Sequence, residues 1–135
     1  MDNASETVDE PVYLITEDIL EIYAAIINAS VTQAGDHVRN REALEGALAR
    51  PSAYAHYEKA DIALQAAVLA HGIAETQPFI DGNKRTALVA MLTFLEINGY
   101  RVGAADRELA DWIIRFSRGG TPESVSDAIR ERLAR

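Results

Sequence analysis

The sequence predicts an all-α domain of about six helices, with two buried helices at its centre flanking one polar connection. Three observations carry this. Apolar residues recur at helical rather than alternating spacing along most of the 135 residues. The stretches Ile62–Ile73 and Leu88–Ile97 are apolar on more than one face, as central helices are. Between them lies a polar segment punctuated by Pro78 and Gly82, where one helix must stop and another start.

The elements follow in order. Residues 1–11 carry Asp2, Glu6, Asp9 and Glu10 with no basic residue and read as a flexible tail, leaving 12–135 as the domain. Val12–Ile15 reads as a short extended piece. Thr16 reads as an N-cap, with Glu17 and Asp18 in the first turn, where the helix dipole favours acids. Ile19, Leu20, Tyr23, Ile26 and Ile27 continue at helical spacing, and Gly35 falls in the break that follows. Asn40 caps a short second helix that should end near Pro51, leaving Ser52–Glu58 as a loop with Tyr54, His56 and Tyr57. The third helix should run from about Lys59 to Glu75, and the fourth from Asn83 to Asn98 with Gly99 beyond its end. Asp106 caps a fifth helix whose Trp112 and Phe116 form an i, i+4 core pair. Gly119-Gly120 breaks it, and Thr121-Pro122 opens a last helix through Leu133. Arg130, Arg132 and Arg135, interleaved with Glu131, read as a solvated face.

Composition removes several function classes. Hydrophobic residues make up 48% of the chain, enough for one sizeable core. The net charge of −8 argues against binding nucleic acid through its phosphates or docking on an anionic membrane. The absence of cysteine excludes disulfides, thiolate metal sites and a Cys nucleophile. The N-terminus starts acidic, unlike a signal peptide, and no apolar run approaches the ~20 residues of a membrane span, so a cytoplasmic protein is expected.

Chemistry concentrates in QPFIDGNKRTA, residues 77–87. Gly82 allows a tight turn, and Asn83, Lys84, Arg85 and Thr86 then occupy the first turn of a helix. Free N–H groups and the positive dipole end make such a turn an anion site. Cations there are mildly unfavourable, so Lys84 and Arg85 point to an anionic ligand, for which Arg85 offers a planar fork. Asp81 stands where a carboxylate can hold Mg²⁺ beside a phosphate. The alternative is a polar loop with capping groups and solvated bases.

QPFIDGNKRTALVA resembles the signature of the Fic/Doc family, His-Pro-Phe-x-Asp/Glu-Gly-Asn-x-Arg, in strict register at Pro78, Phe79, Asp81, Gly82, Asn83 and Arg85. Residues 14–27, 41–51 and 94–100 also resemble the family, especially its Doc (death-on-curing) branch. Adenylylating members typically carry glycine where this chain has Lys84, and a second arginine where it has Leu88. Lacking that arginine, the chain resembles Doc toxins, which are protein kinases acting on a threonine of the translation factor EF-Tu class. The resemblance implies ATP or another nucleotide with Mg²⁺ as cofactors. It implies that Asp81 orients Mg²⁺, that Gly82, Asn83 and Lys84 line an anion hole through backbone and side chains, and that Arg85 neutralises phosphate charge. It further implies a buried Phe79, a target-docking flap around Ala49–Glu58, and inhibition by a small Phd-like antitoxin. The family's inhibitory Ser/Thr-x-x-x-Glu-Gly/Asn helix has its nearest fit at Arg41–Gly46, which lacks the hydroxyl residue.

One departure is serious. The catalytic histidine of the family falls at Gln77, which can hydrogen-bond a hydroxyl but cannot take its proton. A general base contributes roughly 10²–10⁴-fold, so a weak enzyme or none is expected. A binding-only relative, a chain altered at position 77, and a slow reaction driven by positioning all remain compatible, as does nucleotidyl transfer, which Leu88 disfavours. His71 reads as a structural residue, His56 as surface and His37 as a solvated turn, so none is an obvious substitute.

Overall fold

The computed structural model describes residues 10–135; residues 1–9, most of the segment expected as a flexible tail, lie outside the described residues. Seven helices occur among the described residues: α1 (Thr16–Ile27), α2 (Val31–Asp36), α3 (Arg41–Glu58), α4 (Ile62–Thr76), α5 (Asn83–Ile97), α6 (Asp106–Ser117) and α7 (Pro122–Arg132). Two residue pairs, β1 (Arg101–Val102) and β2 (Leu133–Ala134), form a minimal antiparallel ladder. The chain is therefore all-α, as its periodicity requires. No helix among the described residues is long and apolar enough to cross a membrane.

α4 is the hub. It packs against α3, α5, α6 and α7, and Ala63, Ala66, Ala67 and Ala70 are fully buried on it. Small side chains let neighbours approach from every side. At Gly72 the approach is closest: a Cβ there would lie 2.9 Å from the Cβ of Ala47 on α3. α1 and α5 run antiparallel on one flank. Asn98, at the end of α5, accepts from the Val12 N–H at 2.7 Å and donates to the Val12 carbonyl at 3.0 Å. Tyr23, late in α1, reaches the start of α5 instead.

Several boundaries differ from expectation, for local reasons. α3 does not stop at Pro51 but continues to Glu58. Leu44, Ala47 and Pro51 fall on one face and are all buried, so the ring fills core space that compensates for the amide it lacks. The loop expected at 52–58, and the flap expected around Ala49–Glu58, are thus the C-terminal half of a helix capped by Lys59 in the left-handed conformation. α2 was not expected; its signal is a capping box, with Ser30 Oγ accepting from the Gln33 N–H and Gln33 Oε1 from the Ser30 N–H. Thr16 and Asp106 are first helical residues rather than caps, which are Ile15 and Ala105. α7 ends at Arg132 because Leu133 and Ala134 pair with β1. The C-terminal arginines are exposed, as expected of a solvated face, but each also makes a specific contact. Arg130 makes a bidentate contact with Asp61 (2.7 and 3.0 Å), Arg132 bonds Glu108, and Arg135 lies over the Tyr100 ring.

Asp61 does two jobs. Its Oδ1 caps α4 through the Leu64 N–H, and its carboxylate binds Arg130 of α7. The Arg130 hydrogen bonds hold its carboxyl below the usual carboxylate range. A carboxyl lowered on folding adds stability that is complete above its unfolded value, about 3.9, and is lost as pH falls through the folded value. Asp61→Asn keeps a capping oxygen and should cost about 0.5–1 kcal/mol at pH 7, the upper range for a half-exposed pair. Urea melts from pH 7 down to pH 2 should show this difference shrinking as the parent's carboxyl protonates.

Candidate functional site

α4 ends where its axis meets the polar connection. Gln77 caps it in the left-handed conformation, φ 50°, donating its N–H to the Ile73 carbonyl at 3.1 Å. Pro78 then prevents continuation. Phe79 turns inward, is fully buried, and stacks on Tyr23 with centroids 4.0 Å apart and planes 5° from parallel. Gly82, at φ 73°, reverses the chain into α5 in a conformation that side chains disfavour; a Cβ there would only touch the Tyr23 ring, at 3.5 Å.

The connection is held by a second strand of chain that sequence reasoning did not single out. Residues 37–40 run alongside it, with a bridge between Val38 and Phe79. The Arg39 and Asn40 amides donate to the Pro78 carbonyl, the Ile80 amide to the His37 carbonyl, and the Arg39 guanidinium to the Gln77 carbonyl at 2.7 Å. Asn83 folds its amide back over Phe79, accepting from its N–H and donating to its carbonyl, both at 2.9 Å. Thr86 Oγ1 donates to the Gly82 carbonyl at 2.8 Å, and Tyr23 to that of Asp81 at 3.1 Å.

The accounting is lopsided, and the imbalance defines the site. From Gln77 to Gly82, every backbone carbonyl except that of Ile80 has a donor. The backbone N–H groups from Asp81 to Arg85 have no acceptor among the described residues. Five consecutive unpaired amides at the positive end of a helix are an arrangement that can receive an anion. α5 has no side-chain cap to fill it, since its N-cap is Gly82.

A cleft of about 620 Å³ opens over these amides. Gln77, Asp81, Gly82, Asn83, Lys84 and Arg85 all line it, with Glu75, Ile80, Phe116 and Ser117 completing the wall. The structure thus brings together all six residues singled out in the sequence. Asn83 serves differently from expectation: its side chain is buried and spent on Phe79, so what it offers a ligand is its amide. Lys84 and Arg85 are exposed and have no ion-pair partner among the described residues.

No histidine lines this cleft. His71 packs edge-on against Phe116, and burial pushes its pKa down. His56 lies on exposed α3 surface. His37 is half-buried rather than solvated, with Nδ1 3.4 Å from the Tyr23 hydroxyl beneath the site. The segment 49–58 is absent from the cleft wall.

A second cavity, of about 780 Å³, adjoins the first. It is an apolar groove between α1 (Ile22, Ala25, Ile26) and the α5 row Val89, Thr93 and Ile97, with Asp18 and Glu21 on its rim. Arg85 borders both cavities.

Residues 13–95 match the Fic/DOC family. The chain is also 38% identical over 95 residues to a protein of Mycolicibacterium smegmatis named Toxin Doc, a match covering 68% of each chain.

Gln77 adopts a conformation that costs a non-glycine residue about 1 kcal/mol or more. Its side chain makes no hydrogen bond within the described residues, so its identity contributes little to the fold. Gln77→Gly should therefore raise the melting temperature by about 3–5 °C, the shift expected for roughly 1 kcal/mol at this chain length. A thermal melt checks this; an unchanged or lower value would mean the conformation carries no penalty.

Proposed function

The chain belongs to the Fic/Doc family, and we propose that it is a Doc-like toxin of a toxin–antitoxin pair, a nucleotide-dependent protein kinase slowed by Gln77. The observation carrying the reaction type is on α5. Arg85 faces the cleft, whereas Leu88, where adenylylating members have a second arginine, packs against the core. A cleft with Arg85 but no second arginine from position 88 suits a single transferring phosphoryl group better than the extended phosphate clamp of nucleotidyl transfer. The acceptor in this reading is a protein hydroxyl of the EF-Tu threonine class, met in the cytoplasm.

The chain's own residues divide the work. The amides of Gly82, Asn83 and Lys84 receive phosphate oxygens, and Arg85 meets the charge that builds in the transition state. Asp81 is the carboxylate at the turn, a hard oxygen donor. No group of three His, Cys, Asp or Glu among the described residues could cage a metal. That fits Mg²⁺, which is usually held by one or two carboxylates together with substrate phosphates. When bound, Mg²⁺ supplies charge neutralisation at those phosphates. In this reading Gln77, on the cleft wall, hydrogen-bonds the attacking hydroxyl but leaves its proton without a base.

The antitoxin of such a pair requires a surface. The groove between α1 and α5 supports this part of the reading: it is apolar, has an acidic rim, and ends at Arg85. A helical antitoxin segment with a basic edge would fit it and reach the cleft. A binding-only protein is the second reading, favoured by the absence of any histidine from the cleft wall.

Two experiments test the proposal. Gln77→His should raise transfer at least about tenfold by restoring a general base. Labelled ATP reports which reaction occurs: label from the γ position supports the kinase, label from the α position alone overturns it, and none from either favours the binding-only reading.

Arg85→Ala should weaken Mg–nucleotide affinity about 10- to 150-fold, the equivalent of a charged bidentate contact worth roughly 1.5–3 kcal/mol. Its melt should barely change, because the side chain is exposed. Lys84→Ala should cost less, since a flexible ammonium is more easily replaced by water. Titration calorimetry on both variants measures this; undiminished binding by Arg85→Ala would remove the loop from the phosphate site.

A further inference from the structure

Tyr23 has no part in the chemistry above, yet it is the most committed side chain beneath the cleft. It is fully buried, and a buried hydroxyl is costly unless bonded. Its O–H lies 3.1 Å from the Asp81 carbonyl oxygen and 3.2 Å from Asp81 Oδ1. Neither of those oxygens can donate, so the phenolic proton is the donor in both contacts and is shared between them. His37 Nδ1 lies 3.4 Å from the same hydroxyl, the longest of the three contacts, and the direction of that bond follows the imidazole tautomer. Burial, and after it the Asp81 hydrogen bond, raises the Tyr23 pKa, so the phenol stays a donor at neutral pH.

Ring packing fixes where that hydroxyl sits. The parallel stack on Phe79 holds the plane of the ring. Asp81 is an exposed residue at a turn, and nothing else within the described residues bonds its carboxylate. Left alone, such a side chain samples several rotamers. Tyr23 binds Oδ1 and the main-chain carbonyl of one residue together, which selects one rotamer. Oδ2 is left without a protein partner.

We propose that Tyr23 is a positioning residue: its hydroxyl locks the Asp81 carboxylate in the orientation that receives a divalent cation at the cleft. The inference rests on the reading of Asp81 as the metal-facing carboxylate. Groups that orient a metal ligand commonly contribute 10- to 100-fold to metal affinity.

Tyr23→Phe keeps the stack and the volume and removes only the hydroxyl. Mn²⁺ binding in the presence of a non-hydrolysable ATP analogue, followed by electron paramagnetic resonance, should weaken about tenfold in this variant. Affinity for the analogue without metal should be unchanged, because the amides and Arg85 are untouched. Asp81→Asn should weaken Mn²⁺ binding at least as much, and the double variant no further. If Asp81→Asn weakens Mn²⁺ binding while Tyr23→Phe matches the parent, the positioning role is overturned and the Asp81 reading survives. If Asp81→Asn itself matches the parent, the metal reading fails and the inference falls with it. An equal loss of metal-free nucleotide affinity in Tyr23→Phe would mark general loosening of the loop and also overturn the role. A measurement that keeps the hydroxyl guards against a poorly folded variant. With 3-fluorotyrosine placed at position 23, the ¹⁹F signal of the nucleotide-bound protein should shift on adding Mg²⁺, and should not do so in Asp81→Asn. A signal indifferent to Mg²⁺ in the parent overturns the coupling.

Discussion

The stack of Phe79 on Tyr23 joins the core to the cleft. A connection between two buried helices must bring polar backbone past apolar surface, and every unpaired group there is costly. Burying Phe79 fixes the depth of the loop, which places its neighbours within reach of partners on either side. Asn83 can then bracket Phe79, residues 37–40 can pair with 78–80, and Tyr23 can reach Asp81. With all but one of the carbonyls satisfied from within the protein, the amides of 81–85 are left without partners. The unpaired amides of the turn are thus a remainder, produced by how thoroughly the other half of the backbone is paired.

Charge follows a similar logic. The chain carries a net −8, yet Lys84 and Arg85 face the cleft beside free amides. The field there is local, set by a helix end and two side chains, while the surrounding acidity disfavours polyanions that would approach over a wide surface. Glu75 and Asp81 on the cleft wall sharpen this, setting acid beside the two cations.

Much of this was legible in the sequence, and what was not has definite causes. α4 and α5 were readable because their apolar residues run on more than one face, and the six cleft residues because they lie within one nine-residue stretch. α3 was cut short at Pro51 because local propensity says nothing about the buried face that keeps the helix intact. α2 was missed although its Ser-x-x-Gln box was present, since six residues give periodicity no room. Arg130 is exposed, as it reads, but its partner Asp61 was invisible because it is 69 positions away. Tyr23, His37 and Arg39 were likewise invisible as site residues: each meets the loop across tens of residues, and a tyrosine at helical spacing reads as core.

Asparagine secures α5 at both ends by the same device, a side-chain amide that brackets the N–H and C=O of one residue: Phe79 for Asn83, Val12 for Asn98. Asn98 precedes Gly99, and a following glycine, lacking a Cβ, offers least hindrance to the cyclisation that turns asparagine into aspartate. That product would set a carboxylate oxygen against the Val12 carbonyl where an N–H now stands. Cyclisation needs the Gly99 nitrogen to reach the Asn98 side chain, but that nitrogen donates to the Glu96 carbonyl, and the amide is held by Val12 and Phe94. Ageing at this site therefore runs through the locally opened chain, and the chemical lifetime of the clasp is governed by how seldom it lets go.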